Sequence, residues 1–121
     1  MSKIKVNLCS LAEKDHKKEK RYYAHWGHKP NTICIAKDFY FLPLNIKLAL
    51  LLHEIGHALS DSDYEQEAND IIEYISGIKI KYASETPWGK KLQYIYPEEV
   101  SKAIKIIKKF ISESSLRPFL R

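Results

Sequence analysis

The sequence predicts a small α+β fold, a short antiparallel or mixed sheet packed on one helix that is apolar all round. Three observations predict it. Segments of period-two alternation occupy the first third of the chain and recur near residues 78–96, a helix-length apolar run fills residues 45–59, and an apolar stripe at helical spacing runs from Val100 to Ile111. Length sets the scale: 121 residues, 45% of them hydrophobic, can bury one core and no more. Residues 1–121 are therefore expected to form a single domain with neither linker nor repeat.

Taken in order, Ile4 to Cys9 alternates apolar and polar residues and reads as a first strand. The mixed charge run Glu13 to Arg21 reads as a solvated loop or exposed helix. Tyr22 to Trp26 and Thr32 to Ala36 are strand-like, and the turn-rich Gly27-His28-Lys29-Pro30-Asn31 between them makes a hairpin. Past Pro43 a helix should run from about Asn45 to Leu59. Leu48 to Leu52 and Ala58-Leu59 leave it no polar face. A break at Ser60 to Asp63 precedes a second helix, whose buried face is set by Tyr64, Ala68, Ile71, Ile72 and Ile75 and whose end is a left-handed cap at Gly77. Ile78 to Tyr82 and Leu92 to Tyr96 alternate about a Pro87-Trp88-Gly89 turn, either as a second hairpin or as distorted helix ends. Pro97-Glu98-Glu99 starts a last helix, with proline first and acids against the positive dipole end. Val100, Ala103, Ile104, Ile107, Phe110 and Ile111 form its apolar stripe, Lys102, Lys105, Lys108 and Lys109 its solvated face, and Ser112 to Ser115 its end.

The chemistry sits in His53-Glu54-Ile55-Gly56-His57. On a helix, residues i and i+4 share a face, so both imidazoles can reach one Zn²⁺ with Glu54 beside them as general base. Two imidazoles and a carboxylate on a fully apolar helix would cost several kcal/mol (about 2–7 per unpaired polar group), unless they are paired or coordinated. A metal removes that cost. A catalytic zinc takes three protein ligands, and the acidic stretch Asp61 to Glu67 offers candidates for the third. Asp61 continues the i, i+4 series, but three such positions span about 12 Å of straight helix, while ligand atoms must converge to roughly 2 Å from the metal. Asp61 is excluded unless the helix has already ended. Glu65 and Glu67 flank the buried face of the second helix about equally, and spacing leaves them tied.

The run His53 to His57 followed by Glu65-Gln66-Glu67-Ala68-Asn69 resembles the gluzincin pattern of zinc peptidases, and within it the ImmA/IrrE-like group with its Glu-x-x-Ala-Asn context. The short chain is also similar to the minigluzincins. The resemblance covers residues 48 to 69 and implies a zincin-like fold, Glu65 as the third ligand, and Ala68 as the residue that lets the two helices approach. It further implies zinc-dependent hydrolysis of a peptide or unfolded protein, with Glu54 passing a water proton to the leaving amine. The strand ahead of the metal helix, residues 32 to 36, is then the edge that aligns the substrate. An oxyanion donor, commonly Tyr or His in the wider family, is also implied; Tyr74, Tyr94 and Tyr96 are candidates, and His25, His28 and Trp26 could contact the metal site or the substrate. The alternative that the same resemblance allows is a zinc-containing regulatory or DNA-associated module acting on one dedicated partner. The apolar tail Leu116 to Arg121 should dock on the core or in the cleft of its own or a neighbouring chain, with self-association in the latter case.

A net charge of +5 is a moderate basic excess that does not call for a nucleic-acid partner. Cys9 and Cys34 match no zinc-finger or CxxC spacing, and Met1 to Lys5 lacks the apolar stretch of a signal peptide. A cytoplasmic location with both thiols reduced is the expectation, with a disulfide only if both fall on neighbouring strands. The longest apolar run is too short to span a membrane.

Overall fold

The computed structural model describes residues 3–8, 24–62, 64–82 and 92–117. Strands β1 (Lys5–Leu8), β2 (Ala24–Lys29) and β3 (Thr32–Ile35) form a mixed sheet in the order β1-β3-β2. The hairpin between β2 and β3 turns at Asn31, which adopts the left-handed conformation (φ 52°) that asparagine tolerates. Asn31 also recruits β1: its side-chain Nδ2 donates to the Lys3 carbonyl and its own carbonyl accepts from the Lys5 amide. β1 therefore runs parallel to β3, with Val6 opposite Ile33 and Leu8 opposite Ile35.

This pairing overturns the expectation of an exposed edge at residues 32 to 36. β3 is the central strand and is buried along its length. The edge is β2, where Trp26 faces Ile33 and Lys29 faces Thr32, so that Gly27 and His28 are inserted as a bulge. Cys34, buried in β3, is disulfide-bonded, which corrects the expectation of two reduced thiols. β1 and β3 are neighbouring strands, the one circumstance in which the sequence allows a bridge. Cys9, like the charge run and residues 118–121 of the tail, lies outside the described residues. A bridged Cys34 is no longer a sign of a reducing compartment.

A 3-10 turn (Lys37–Phe41) leads to α1 (Leu44–Ser60), whose residues Leu48 to Gly56 are all buried. That continuous burial is what an apolar run without a polar face requires. α1 is the centre of the fold, touching β2, helix α2 (Glu65–Ser76), helix α3 (Val100–Phe110) and strand β5 (Gln93–Tyr94). β5 pairs antiparallel with β4 (Lys81–Tyr82), so the second hairpin is real but only two residues long on each side. Asn45 Nδ2 donates to the Ile95 carbonyl at 3.1 Å, tying the start of α1 to this hairpin.

Gly77 (φ 74°) caps α2 in the left-handed form, its amide donating to the Glu73 carbonyl at 2.8 Å. Pro97–Glu99 forms a 3-10 turn that opens α3, and Ala103, Ile107 and Ile111 carry its stripe into the core. The end expected at Ser112 to Ser115 comes earlier. α3 stops at Phe110 because Ile111 leaves the helix to bridge Ile4 beside β1, with the Ser112 amide donating to the Ile4 carbonyl. A separate turn of helix, α4 (Glu113–Leu116), then buries Leu116 against the core. Among the described residues no helix is long and apolar enough to cross a membrane.

α1 and α2 come into close backbone approach at Gly56. A Cβ there would lie inside the van der Waals envelope of the Ala68 carbonyl, whose residue is wholly buried. Gly56→Ala must therefore push backbone against backbone, where no side chain can rotate away. We expect a loss of about 1–3 kcal/mol or more in urea unfolding. Unchanged stability would mean that the helices do not meet there.

Candidate metal centre

α1 places His53 and His57 one turn apart on the face turned to α2, and the break after α1 brings α2 back across them. The break is made by Asp61, in the left-handed conformation (φ 50°), whose amide closes on the His57 carbonyl at 3.0 Å. Asp61 is exposed and serves as the cap; the helix has already ended there, the one condition under which its spacing left it open as a ligand, but the cluster that could hold a metal does not include it. Tyr64 then starts α2, so that Glu65, its first residue, reaches both histidines. Its Oε2 lies 2.9 Å from His53 Nε2 and its Oε1 3.0 Å from His57 Nε2. The two Nε2 atoms are 3.1 Å apart. Glu67 is exposed.

Each imidazole is held from behind. His53 Nδ1–H donates to Asn69 Oδ1 at 2.6 Å, and His57 Nδ1–H donates to the Ser62 carbonyl at 2.7 Å. Both Nδ1 partners are acceptors, so each ring carries a proton on Nδ1 and turns Nε2 toward Glu65; a ring protonated on Nε2 as well donates to that carboxylate, and one that has lost this proton has the Nε2 lone pair for a metal. Asn69 is buried and lies four residues after Glu65 on the same face of α2, a spacing from which its approach to the site could have been read. Its Nδ2 donates to the Tyr82 hydroxyl at 3.3 Å. Tyr82 had no signal in the sequence, because β4 reaches the cluster only through the fold.

The group His53, His57 and Glu65 could hold a metal ion, with ligand atoms within 4.8 Å of one another. Four ligands at about 2.0–2.1 Å around a tetrahedral ion stand roughly 3.3 Å apart. The two nitrogens stand 3.1 Å apart, near that spacing, and each lies within 3.0 Å of its own Glu65 oxygen, His53 on Oε2 and His57 on Oε1. The donor set fits as well: two nitrogen lone pairs and a carboxylate, each nitrogen oriented by an acceptor on its far side.

Glu54 is buried on the adjoining face of α1 and pushed up to about 7, mainly by burial, which the neighbouring histidines and the Trp26 backbone N–H partly offset. One of its oxygens accepts that N–H; Oε2 has no partner among the described residues. Trp26 itself is partly buried against the core, and the expectations placed on the side chains of His25 and His28 fall outside what is described. Among the described residues none of the tyrosines singled out earlier hydrogen-bonds to the cluster. Tyr74 is 89% exposed, while Tyr94 and Tyr96 pack edge to face with Lys81 over the Tyr96 ring.

Compared with known proteins, the chain matches no family, no characterised protein and no solved structure. The site therefore rests on its own geometry.

Two outcomes follow from it. Glu65→Ala should weaken zinc affinity strongly in competition with a chelator, whereas Glu67→Ala should leave it nearly unchanged; the reverse would reassign the third ligand. The second concerns pH. The Glu65 carboxylate raises His57 from 6.5 to about 9, so this contribution to the metal-free fold is complete below pH 6.5 and lost as pH rises through about 9. Glu54, raised from 4.5 to about 7, contributes in the same sense, fully below pH 4.5 and lost through about 7. Glu65, held well below the usual carboxylate range by the two histidines, contributes above pH 4.5 and is lost in strong acid. The chelator-stripped protein should therefore melt highest near pH 4.5, lose the Glu54 contribution by about pH 7 and lose the His57 contribution toward pH 9. With the Glu65 side chain 38% exposed, solvent keeps the amplitude modest. Metal affinity should rise across the same window, because His57 must surrender its proton. A melting temperature that climbs from pH 6.5 to 9 would refute the pairing.

Proposed function

We propose that the chain is a small zinc-dependent peptidase of the gluzincin kind, with a minimal zincin-like fold. The observation that carries this reading is the convergence of His53 Nε2, His57 Nε2 and the Glu65 carboxylate, with both Nδ1 protons already committed to acceptors. A zinc ion held by these three residues would polarise a substrate carbonyl and lower the pKa of water toward 7.

The remaining chemistry belongs to the chain's own residues. Glu54 sits next to the ligand set with Oε2 unpartnered, and its pKa near 7 is close to what a general base needs in order to take a proton and return it. That oxygen accepts the proton of the attacking water, and the same carboxyl delivers it to the leaving amine. An extended peptide has an edge beside Glu54 to lie along: β2 has no second strand neighbour among the described residues. Main-chain pairing there favours unfolded or extended substrates over particular side chains.

Glu54→Gln tests the reading. The purified variant should keep about one zinc per chain, measured by metal analysis, and lose at least about a hundredfold in cleavage of an unfolded protein. The wild-type cleavage should stop with a chelator and return with zinc. Undiminished cleavage in the variant would remove Glu54 as the base, and a wild-type chain that takes up no zinc would remove the reading altogether.

A further inference from the structure

Two exposed helix faces each carry charge of a single sign. α2 contains no basic residue, and Glu67, Asp70 and Glu73 are all exposed on it. α3 contains no acid, and Lys102, Lys105, Lys108 and Lys109 are all exposed on it. At about 100° per residue each set falls within an arc of about 120°, and the sets extend over about 9 Å and about 10.5 Å of helix axis. The two faces match in width and length and are opposite in sign. Among the described residues none of these side chains forms a salt bridge, so the match is not used within the chain.

Local roles account for only part of the arrangement. Glu67 in the first turn of α2, and Lys108 and Lys109 in the last turn of α3, suit the dipoles of their helices, and the Lys102 ammonium stands beside Gly77 at the end of α2. Asp70 and Lys105 lie mid-helix, where a dipole is not felt, and Glu73 lies in the last turn of α2, where its charge is unfavourable. Within each set, neighbours three or four residues apart repel, as Glu67 does Asp70 and Lys105 does Lys109. A solvated face ordinarily avoids this by interspersing both signs. Tyr74 stands within the acidic arc and is 89% exposed, an aromatic of the kind that anchors protein contacts. A lysine would suit it as a partner, as Lys81 suits the Tyr96 ring at 5.3 Å from the centroid.

We propose that the outer face of α2 docks on the lysine face of α3 in a second copy of this chain. Tyr74 lies against the lysine stems, and Glu67, Asp70 and Glu73 pair with the ammonium groups around it. The occupant is a second copy because the charge, arc and length that the acidic face requires are all present on the same chain and left unpaired there. Two such contacts about a two-fold axis close a dimer, and one contact repeated from copy to copy gives a ring or a filament. The metal reading is not needed for this, since the residues of the contact are separate from His53, His57 and Glu65.

Exchanging the charges tests it. In sedimentation at low salt the wild-type chain should associate as its concentration rises toward about 1 mM, and the dissociation constant should rise at least about tenfold between about 0.05 M and about 0.5 M salt. Lys105→Glu with Lys109→Glu should abolish self-association, and so should Glu67→Lys with Asp70→Lys. Mixed together, these two variants should associate one to one, because each supplies the charge the other lacks. A chain carrying all four substitutions should self-associate again. Recovery in the mixture requires both variants to be folded, so it separates a lost contact from a lost structure. Tyr74→Ala should weaken wild-type association at least about tenfold. A wild-type chain that stays monomeric throughout, a mixture that does not associate, or association insensitive to the exchanges would each overturn the proposal. Binding of heparin through the α3 lysines by a chain that never self-associates would make that face a polyanion site instead.

Discussion

Everything at the site depends on how closely α2 can approach α1. His53 and His57 are fixed on α1 by their spacing, but Glu65 belongs to another helix and reaches both Nε2 atoms only if the two backbones nearly touch. Gly56 makes that possible. It lies between the two histidines in sequence, it is buried, and the space a side chain would need is filled by the Ala68 carbonyl. Glycine in mid-helix costs about 0.5–1 kcal/mol relative to alanine, a cost the chain accepts at a place where a Cβ would push α1 and α2 apart. The small residues at 56 and 68 are thus as much a part of the cluster's geometry as His53, His57 and Glu65 themselves.

The second constraint is the low dielectric that this packing creates. His53 and Glu54 are buried on a helix that is otherwise apolar through Leu48 to Gly56, and polar groups in such a place must find partners. Those partners come from segments the helix itself does not control. Asn69 comes from α2, the Ser62 carbonyl from the break, and the Trp26 amide from the sheet edge. The break at Asp61 serves two purposes with one backbone conformation: it ends α1, and it turns the Ser62 carbonyl back onto the last histidine.

How much of this could be read from the residues follows from the range of the interactions involved. Local signals were reliable for the span of α1, the cap at Gly77 and the start at Pro97, which depend on a few neighbouring residues and lie where the sequence places them, whereas the turn expected over Gly27 to Asn31 is narrower, because β2 runs on to Lys29. The pair His53 and His57 was legible for the same reason. Glu65 was not separable from Glu67 by periodicity, because both flank the face marked by Ala68 and Ile72, and which one meets the histidines depends on the angle between two helices. Strand order was illegible too. Nothing local in Ile4 to Leu8 says that it will lie parallel to β3 and leave β2 as the edge; Asn31, through two hydrogen bonds to the Lys3–Lys5 segment, makes that choice. Tyr82 and the bridge from Ile4 to Ile111 are long-range for the same reason.

The edge position of β2 also explains the state of Glu54. A buried carboxyl with no donors would stay neutral well above the ordinary carboxylate range, since desolvation disfavours the charged form. Desolvation is indeed the largest influence on Glu54, and the Trp26 N–H works against it. In a regular interior strand that N–H would belong to the next strand of the sheet. Because β2 is an edge, with its bulge starting just after Trp26, the amide is available to the helix instead. The sheet therefore acts on Glu54 through a main-chain donor, whatever side chain stands at 26. That donor reduces the cost of ionising one carboxyl oxygen while leaving the other, Oε2, unpartnered. A group so placed is neither a committed ion nor a settled acid, and a proton can move to or from it near neutral pH at small cost.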